Sequence, residues 1–114
     1  MPRFVILTHD HPHIHWDLML EQGPALRTWR LNTEPNGQAD ISAEPLDDHR
    51  LVYLEYEGPV SGGRGTVARW DAGDYEPVEE ASDRLVVQLR GERVAGKATF
   101  TKGSDHWTLR IVSE

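Results

Sequence analysis

The sequence predicts an all-β fold, a small closed or nearly closed β-barrel of about seven or eight strands with little helix. Short runs of β-branched and aromatic residues alternate between apolar and polar side chains. Glycine and proline separate these runs at short intervals. No segment longer than about ten residues has helical periodicity. Many short strands in one small domain favour a barrel.

Three strands are predicted near the amino terminus. Residues 3–8 are a short apolar run, and residues 14–21 alternate apolar and polar side chains, as in a half-buried strand. Gly23-Pro24 ends this second strand, and residues 25–32 give a weaker strand signal. In the second strand, residues 14–21, the apolar face is expected to point inward and the other face to carry polar ligands. That other face holds His15, Asp17, Met19 and Glu21.

The middle of the chain is less regular. Residues 33–48 contain prolines, Gly37 and several acids without periodicity, which predicts a surface loop. Residues 49–56 predict a strand or extended segment, and the glycines of residues 58–65 predict a tight turn. Residues 66–70 predict a short strand that ends at residues 71–74.

The last third predicts a hairpin and a final strand. Residues 84–90 and 94–101 alternate around Gly91-Glu92, as hairpin strands do, and residues 106–112 follow in the same phase. We expect the four tryptophans to pack in the core because aromatic residues dominate buried area. They are Trp16, Trp29, Trp70 and Trp107.

Length and composition limit the class of protein. The 114 residues fit one domain, residues 1–114. Without cysteine, a metal must bind His, Asp or Glu. The net charge of −7 argues against coating nucleic acid by charge alone. No signal peptide or apolar run of ~18 residues is present, so a cytoplasmic protein without a membrane partner is expected.

Four histidines and two aspartates fall within residues 9–17, the richest metal-binding stretch of the chain. In an extended backbone, residues two apart share a face, so His13, His15 and Asp17 would project to one side. Imidazole with a carboxylate suits Mn²⁺, Fe²⁺ or Zn²⁺. The run therefore predicts a metal site.

A longer pattern connects this run to the rest of the chain. Phe4 to Asp10, followed by Ile14 to Glu21, resembles the opening of the 3′-phosphoesterase domain of bacterial DNA ligase D. Similar motifs continue in order to residue 112. They are Trp29, Asp48-His49, Tyr53, Glu57-Gly58, Gly65-Thr66-Val67, Trp70-Asp71, the hairpin from Leu89 to Gly96, and Trp107-Thr108-Leu109.

The resemblance implies a small β-barrel with a Mn²⁺-dependent site that removes a 3′-terminal phosphate or ribonucleotide from a primer end. By position, it implies that the metal ligands are His9, His15 and Asp17 and that His49 and Tyr53 contact the scissile phosphate. The implied partners are nucleic-acid 3′ ends and separately encoded ligase or polymerase repair proteins.

Several positions depart from the family pattern. Met19 replaces an arginine, Thr33 falls where a lysine is expected, an arginine position falls near Ile41, and Asp47 replaces a glutamate. Losing three cationic phosphate contacts, each worth roughly 1.5–3 kcal/mol, is expected to weaken turnover or to abolish it. We expect substrate contacts from Asp47, with compensating cations drawn from Arg27, Arg30, Arg50 and Arg64.

His11, His13 and His106 have no matching role and are expected at the surface. One alternative is a catalytically weakened module that binds nucleic-acid ends or a repair partner. Another is a non-haem iron or cupin-like enzyme with a facial triad such as His15, Asp17 and His49.

Overall fold

The computed structural model describes residues 1–36 and 39–113, so Gly37 of the predicted loop lies outside the described residues. These ranges contain nine β-strands and a 3-10 helix, Leu51–Leu54. The strands are β1 Arg3–His9, β2 His15–Gln22, β3 Ala25–Leu31, β4 Ile41–Arg50, β5 Gly58–Pro59, β6 Thr66–Ala81, β7 Arg84–Gly91, β8 Ala95–Lys102 and β9 Trp107–Ser113. The predicted C-terminal hairpin and last strand are confirmed as β7, β8 and β9.

Eight of the strands form a nearly closed ring of hydrogen-bonded neighbours. The order is β1-β2-β3-β4-β9-β8-β7-β6, and β6 pairs again with β1. Every pairing is antiparallel, and the two-residue β5 pairs with β6 beside the ring. The all-β prediction is therefore confirmed. The shortest pairing in the ring is between β4 and β9, and it runs only from Ile41 opposite Leu109 to Ala43 opposite Trp107.

Aromatic residues fill the interior of the ring. The Trp29 ring stacks on Phe100 with centroids 4.5 Å apart and meets Trp107 edge-on at 5.0 Å. Trp29 and Trp70 are buried, while Trp16 and Trp107 are partly buried against the same core. The prediction that all four tryptophans pack in the core is confirmed.

A second apolar cluster lies on the outer face of the same sheet. We call it the outer cluster, and the 3-10 helix and the segment after it cover it. Its members are Val5, Leu7, Met19, Leu26, Leu54 and Val67. Because β2 lies between this cluster and the interior, both of its faces are buried, and the prediction of a half-buried strand is wrong. Ile14, expected to face inward, is 61% exposed.

The prediction of a loop for residues 33–48 is wrong for the second half of that range, since β4 begins at Ile41. Proline and acids obscured the strand signal there. Pro45 lies opposite Trp29 of β3, beyond the last β4–β9 pair at Ala43. A strand with a neighbour on one side only tolerates proline, because the missing N–H costs no ladder hydrogen bond on its open edge. Of the strand or extended segment expected over residues 49–56, residues 49 and 50 belong to β4, but the 3-10 helix takes the place of the strand over Leu51–Leu54.

The short strand predicted for residues 66–70 continues to Ala81, because the Asp71 carboxylate serves a neighbouring turn instead of ending the strand. Its oxygens accept N–H bonds at 2.9–3.1 Å from Ala72, Glu92, Arg93 and Val94. The β1–β6 register shifts between Ile6 and Leu7, so a bulge carries the strand through this sequence. No helix among the described residues is long and apolar enough to cross a membrane.

Candidate metal centre

The hairpin between β1 and β2 brings three metal-ligand side chains together. His9 lies opposite His15, and Asp17 lies opposite Leu7. Side-chain alternation then puts His9, His15 and Asp17 on the outer face of the sheet. One potential ligand atom from each lies within 4.8 Å of the others. The side chains of His15 and Asp17 are 3% and 4% exposed, and that of His9 is 16% exposed.

Backbone carbonyls orient both imidazoles. His15 Nδ1–H donates to the His13 carbonyl at 2.9 Å, and His9 Nε2–H donates to the Arg64 carbonyl at 2.8 Å. A carbonyl only accepts, so each of these nitrogens carries its proton and the other nitrogen keeps a lone pair. Those free nitrogens lie 3.3 Å (His15 Nε2) and 3.6 Å (His9 Nδ1) from the two oxygens of Asp17. This is the orientation that metal-binding histidines receive from carbonyl partners.

The donor atoms fit a divalent cation. His15 Nε2 and Asp17 Oδ1 are buried and have no hydrogen-bond partner among the described residues. Leaving such atoms unsatisfied costs roughly 1–3 kcal/mol each, so buried polar atoms normally have partners. A cation shared by the three side chains would satisfy them. Two imidazoles and one carboxylate suit Mn²⁺, Fe²⁺ or Zn²⁺ and leave coordination positions for substrate and water.

His13 does not project beside His15, contrary to the expectation from alternation. Residues 10–14 turn between the strands, and β2 begins only at His15. His13 is exposed and contributes its carbonyl, while His9 provides the second imidazole across the hairpin. His11, His13 and His106 are exposed, as expected from their lack of a matching role, and His11 also lines the cleft beside the site.

Two of the three side chains, those of His9 and Asp17, line a cleft of about 280 Å³. We call it the metal cleft. Its lining residues are His9, His11, Pro12, Asp17, Met19, Arg30, Leu46, His49, Tyr53, Val60, Arg64 and Val67.

His49 and Tyr53 line the metal cleft together, though not on one extended strand as predicted. His49 is the last residue but one of β4 and Tyr53 lies in the 3-10 helix, and their rings meet edge to face with centroids 5.9 Å apart. His49 Nδ1–H donates to the Asp47 carbonyl at 2.9 Å, which leaves Nε2 available. The close ligand group contains His9 in place of His49, so the particular facial triad of His15, Asp17 and His49 is not assembled.

Two of the four candidate arginines line the metal cleft. Arg30 is half-buried opposite Asp17 on β3, and its Nε is buried without a partner among the described residues. The Arg64 guanidinium donates to the Ser61 carbonyl and hydroxyl at 2.7 and 3.1 Å. Of these two arginines, Arg30 is therefore the better candidate for binding an anion, because the Arg64 guanidinium already donates to Ser61.

The structure does not bring Arg27 to the metal cleft. Its guanidinium lies 5.3 Å from the Trp29 ring centre and 3.5 Å from the Glu80 carboxylate. Arg50 is exposed and lines the next groove. Asp47 is exposed, and the contact that ties it to the cleft is its backbone carbonyl to His49.

The positions that depart from the family pattern have different surroundings. Met19 is 1% exposed and forms part of the cleft wall, so a cation is replaced by an apolar side chain inside the site. Ile41 is buried in the interior core, on the opposite face of the sheet from the cleft. Thr33 is exposed. Arg30 thus remains as a cleft cation beside Met19.

Asp10 and Gly65 fix the carbonyl that orients His9, a role that the sequence did not reveal. Asp10 Oδ1 accepts the Thr66 N–H at 2.8 Å. Gly65 has a φ of +78°, and a Cβ there would lie 2.3 Å from Asp10 Oδ1 and 2.6 Å from His11 Cβ. Only glycine fits this approach. The predicted glycine turn is confirmed, and its function is to hold Arg64 beneath His9.

Comparisons with known proteins agree with the motifs. A family model described as the DNA ligase D 3′-phosphoesterase domain matches residues 7–102. The multifunctional non-homologous end joining DNA repair protein LigD of Mycobacterium tuberculosis is 31% identical over 114 residues, which cover 91% of this chain and 15% of that protein.

Two other similar proteins give the same result. The multifunctional non-homologous end joining protein LigD of Pseudomonas aeruginosa is 28% identical over 105 residues, covering 83% of this chain and 12% of that protein. The protein of that name from Mycolicibacterium smegmatis is 29% identical over 130 residues, with 96% and 17% covered. The chain therefore spans less than a fifth of the length of these relatives.

Proposed function

The chain belongs to the DNA ligase D 3′-phosphoesterase domain family, and on this premise we propose that it is a Mn²⁺-dependent phosphoesterase that heals nucleic-acid 3′ ends. The substrate is a 3′-terminal phosphate or a terminal ribonucleotide. The observation that carries the proposal is the convergence of His9, His15 and Asp17 within 4.8 Å.

For the 3′-terminal phosphate, the chemistry is hydrolysis of a phosphate monoester. A water oxygen forms a bond to phosphorus, the bond from phosphorus to the 3′ oxygen breaks, and one proton ends on that oxygen. A bound divalent ion supplies charge neutralisation at the non-bridging phosphate oxygens. His9, His15 and Asp17 are the residues that would hold it.

His49 and Tyr53, which also line the metal cleft, serve the leaving group. In its protonated form, His49 donates a proton from Nε2 to the 3′ oxygen, while the Asp47 carbonyl holds Nδ1–H and fixes the ring. The Tyr53 hydroxyl is a second donor at this wall. Arg30 binds a phosphate oxygen through its guanidinium, which forms stronger, charge-assisted hydrogen bonds.

Phosphate release tests the proposal. The protein with Mn²⁺ is expected to release phosphate from a 3′-phosphorylated primer annealed to a template. The variants His15→Ala and His49→Ala are expected to lose this activity. His106→Ala is the matched control because His106 is exposed and pairs with Asp105 outside the metal cleft. Absence of release by folded, Mn²⁺-loaded protein would overturn the proposal.

A catalytically weakened end-binding module is the second candidate, and the buried Met19 favours it. An apolar side chain in the metal cleft removes a phosphate contact. This module would bind a 3′-phosphorylated end without releasing phosphate, so a binding titration beside the release assay separates the two functions. A cytoplasmic location and association with separately encoded ligase or polymerase proteins stay predictions.

A further inference from the structure

A second groove adjoins the metal cleft. It has a volume of about 330 Å³, and we call it the tyrosine groove. Its lining residues are Arg50, Val52, Tyr53, Tyr56, Pro59, Val60 and Ser61. Tyr53 and Val60 line both cavities, so a single wall separates them. A molecule bound in the metal cleft would therefore need only a short extension to reach the groove.

The tyrosine groove has the composition of a stacking site for a nucleobase. The rings of Tyr53 and Tyr56 meet edge to face with centroids 5.9 Å apart, and the Tyr56 hydroxyl donates to the Pro59 carbonyl, which fixes that ring. Val52 is 53% exposed and extends the apolar surface. Arg50 adds a guanidinium at the same groove. Aromatic rings with a nearby arginine bind bases of any sequence.

The direction of the reaction identifies the occupant. The leaving 3′ oxygen belongs to the terminal nucleoside, so that nucleoside must lie on the same side of the phosphate as the proton donor. The proposed proton donors, His49 and Tyr53, both line the metal cleft, and Tyr53 also lines the tyrosine groove. The terminal nucleoside is thus directed into the groove.

The net negative charge of the chain also favours a nucleobase as the occupant of the tyrosine groove. With a net charge of −7, the chain gains little from long-range attraction to a polyanion. Short-range stacking on aromatic rings does not depend on net charge. A base subsite beside the metal cleft would supply affinity that the overall charge does not.

We propose that the tyrosine groove binds the nucleobase of the nucleotide that carries the 3′-phosphate. This inference rests on the proposed phosphoesterase function and assigns the part of the substrate next to the scissile bond. Because the site recognises the face of the base, the activity depends on the presence of a terminal base and little on its identity.

Binding without turnover tests the groove separately from catalysis. The probe is a short single-stranded oligonucleotide with a 3′ hydroxyl and 2-aminopurine as its terminal base, whose fluorescence falls when it stacks. Titration with the protein is expected to quench this fluorescence, whereas 2-aminopurine at the 5′ end should respond weakly. Val52→Asp and Tyr56→Ala are expected to weaken binding about fivefold or more.

Val78→Asp is the matched control for Val52→Asp. Val78 is 57% exposed, close to the value for Val52, and it lies on β6 away from both cavities. The same charge introduced there is expected to leave the affinity for the probe unchanged. Equal weakening by the two substitutions would mean that added negative charge alone repels the oligonucleotide, and it would overturn the groove assignment.

Kinetics with an abasic substrate complete the test. For the unsubstituted protein, kcat/KM for phosphate release is expected to be about fivefold or more lower when the terminal nucleotide lacks its base. This ratio should fall to about one in Val52→Asp and persist in Val78→Asp. Equal kcat/KM on both substrates, or no quenching of the probe, overturns the groove assignment. Failure to release phosphate from either substrate, with normal quenching, overturns the phosphoesterase function instead.

Discussion

Asp17 and Arg30 lie directly opposite each other on β2 and β3, on the face of the sheet that forms the metal cleft. The carboxylate faces His9 and His15, while the guanidinium keeps its Nε without a partner among the described residues. Adjacent positions on one sheet therefore place a carboxylate suited to binding a cation beside a guanidinium suited to binding an anion. Four predictions follow from this arrangement and from the packing around it.

Removal of His15 should weaken metal binding, because Nε2 of this ring is a buried nitrogen with a lone pair for the metal, and it lies beside Asp17. We expect His15→Ala to lower the Mn²⁺ affinity at least about tenfold, the scale of loss on disturbing a metal site. Isothermal titration calorimetry measures it. His13→Ala is the control, since His13 orients His15 through its carbonyl and its side chain is exposed. An equal loss in the two variants would contradict the assigned ligand set.

Arg30 should carry more of the phosphate binding than Arg27. A charge-assisted hydrogen bond is worth roughly 1.5–3 kcal/mol, so Arg30→Gln should lower kcat/KM for phosphate release by about tenfold to 100-fold. Arg27→Gln should leave it nearly unchanged, because Arg27 contacts Trp29 and Glu80 instead of the metal cleft. Steady-state kinetics on one 3′-phosphorylated substrate compares them. A larger effect of Arg27→Gln would refute the assignment.

Gly65→Ala should reduce metal affinity as well as stability. Its Cβ would lie 2.3 Å from Asp10 Oδ1, and the collision would move the Arg64 carbonyl that orients His9. Gly63→Ala is the control because Gly63 has a similar φ of +68° but nothing within 4 Å of its Cβ. Both variants should lose about 1–3 kcal/mol of stability to backbone strain. Calorimetric titration should find weaker Mn²⁺ binding in Gly65→Ala only; unchanged affinity there would reject the coupling.

Tyr75 should make stability fall at alkaline pH. Burial raises the pKa of Tyr75 above 10.0, with smaller contributions from a Gln22 hydrogen bond that lowers the pKa and the Glu80 and Glu21 charges that raise it. The unfolded chain then loses this proton first, so the stabilisation is complete below pH 10 and decreases as pH rises through the folded pKa.

Urea denaturation at about pH 9 and about pH 11 measures the effect on the free energy of unfolding. The unsubstituted protein should lose more stability over this interval than Tyr75→Phe, which has no hydroxyl to ionise. Equal losses would show that the buried Tyr75 hydroxyl, which donates to the Glu21 carbonyl at 2.8 Å, does not contribute to the alkaline transition.

Local patterns were reliable where neighbouring residues decide the structure. Alternation predicted β7, β8 and β9, and the glycine positions predicted the turn before β6. Patterns failed where partners distant in sequence decide it. The strand around Pro45 depends on the open edge beyond Ala43, and the strand through Asp71 depends on the N–H groups of the β7–β8 turn.

The sequence by itself determined the all-β class and the family, because short-range periodicity and the order of motifs are properties of the chain. The order of motifs also implied His9 as the partner of His15, whereas simple alternation favoured His13; only the tertiary structure supplies the physical reason for His9, since a cross-strand partner depends on where the hairpin turns. It also separated Arg30 from Arg27, which lie three residues apart on β3 but have different partners. Periodicity predicts which residues form strands, whereas register and the packing of remote segments determine which side chains meet.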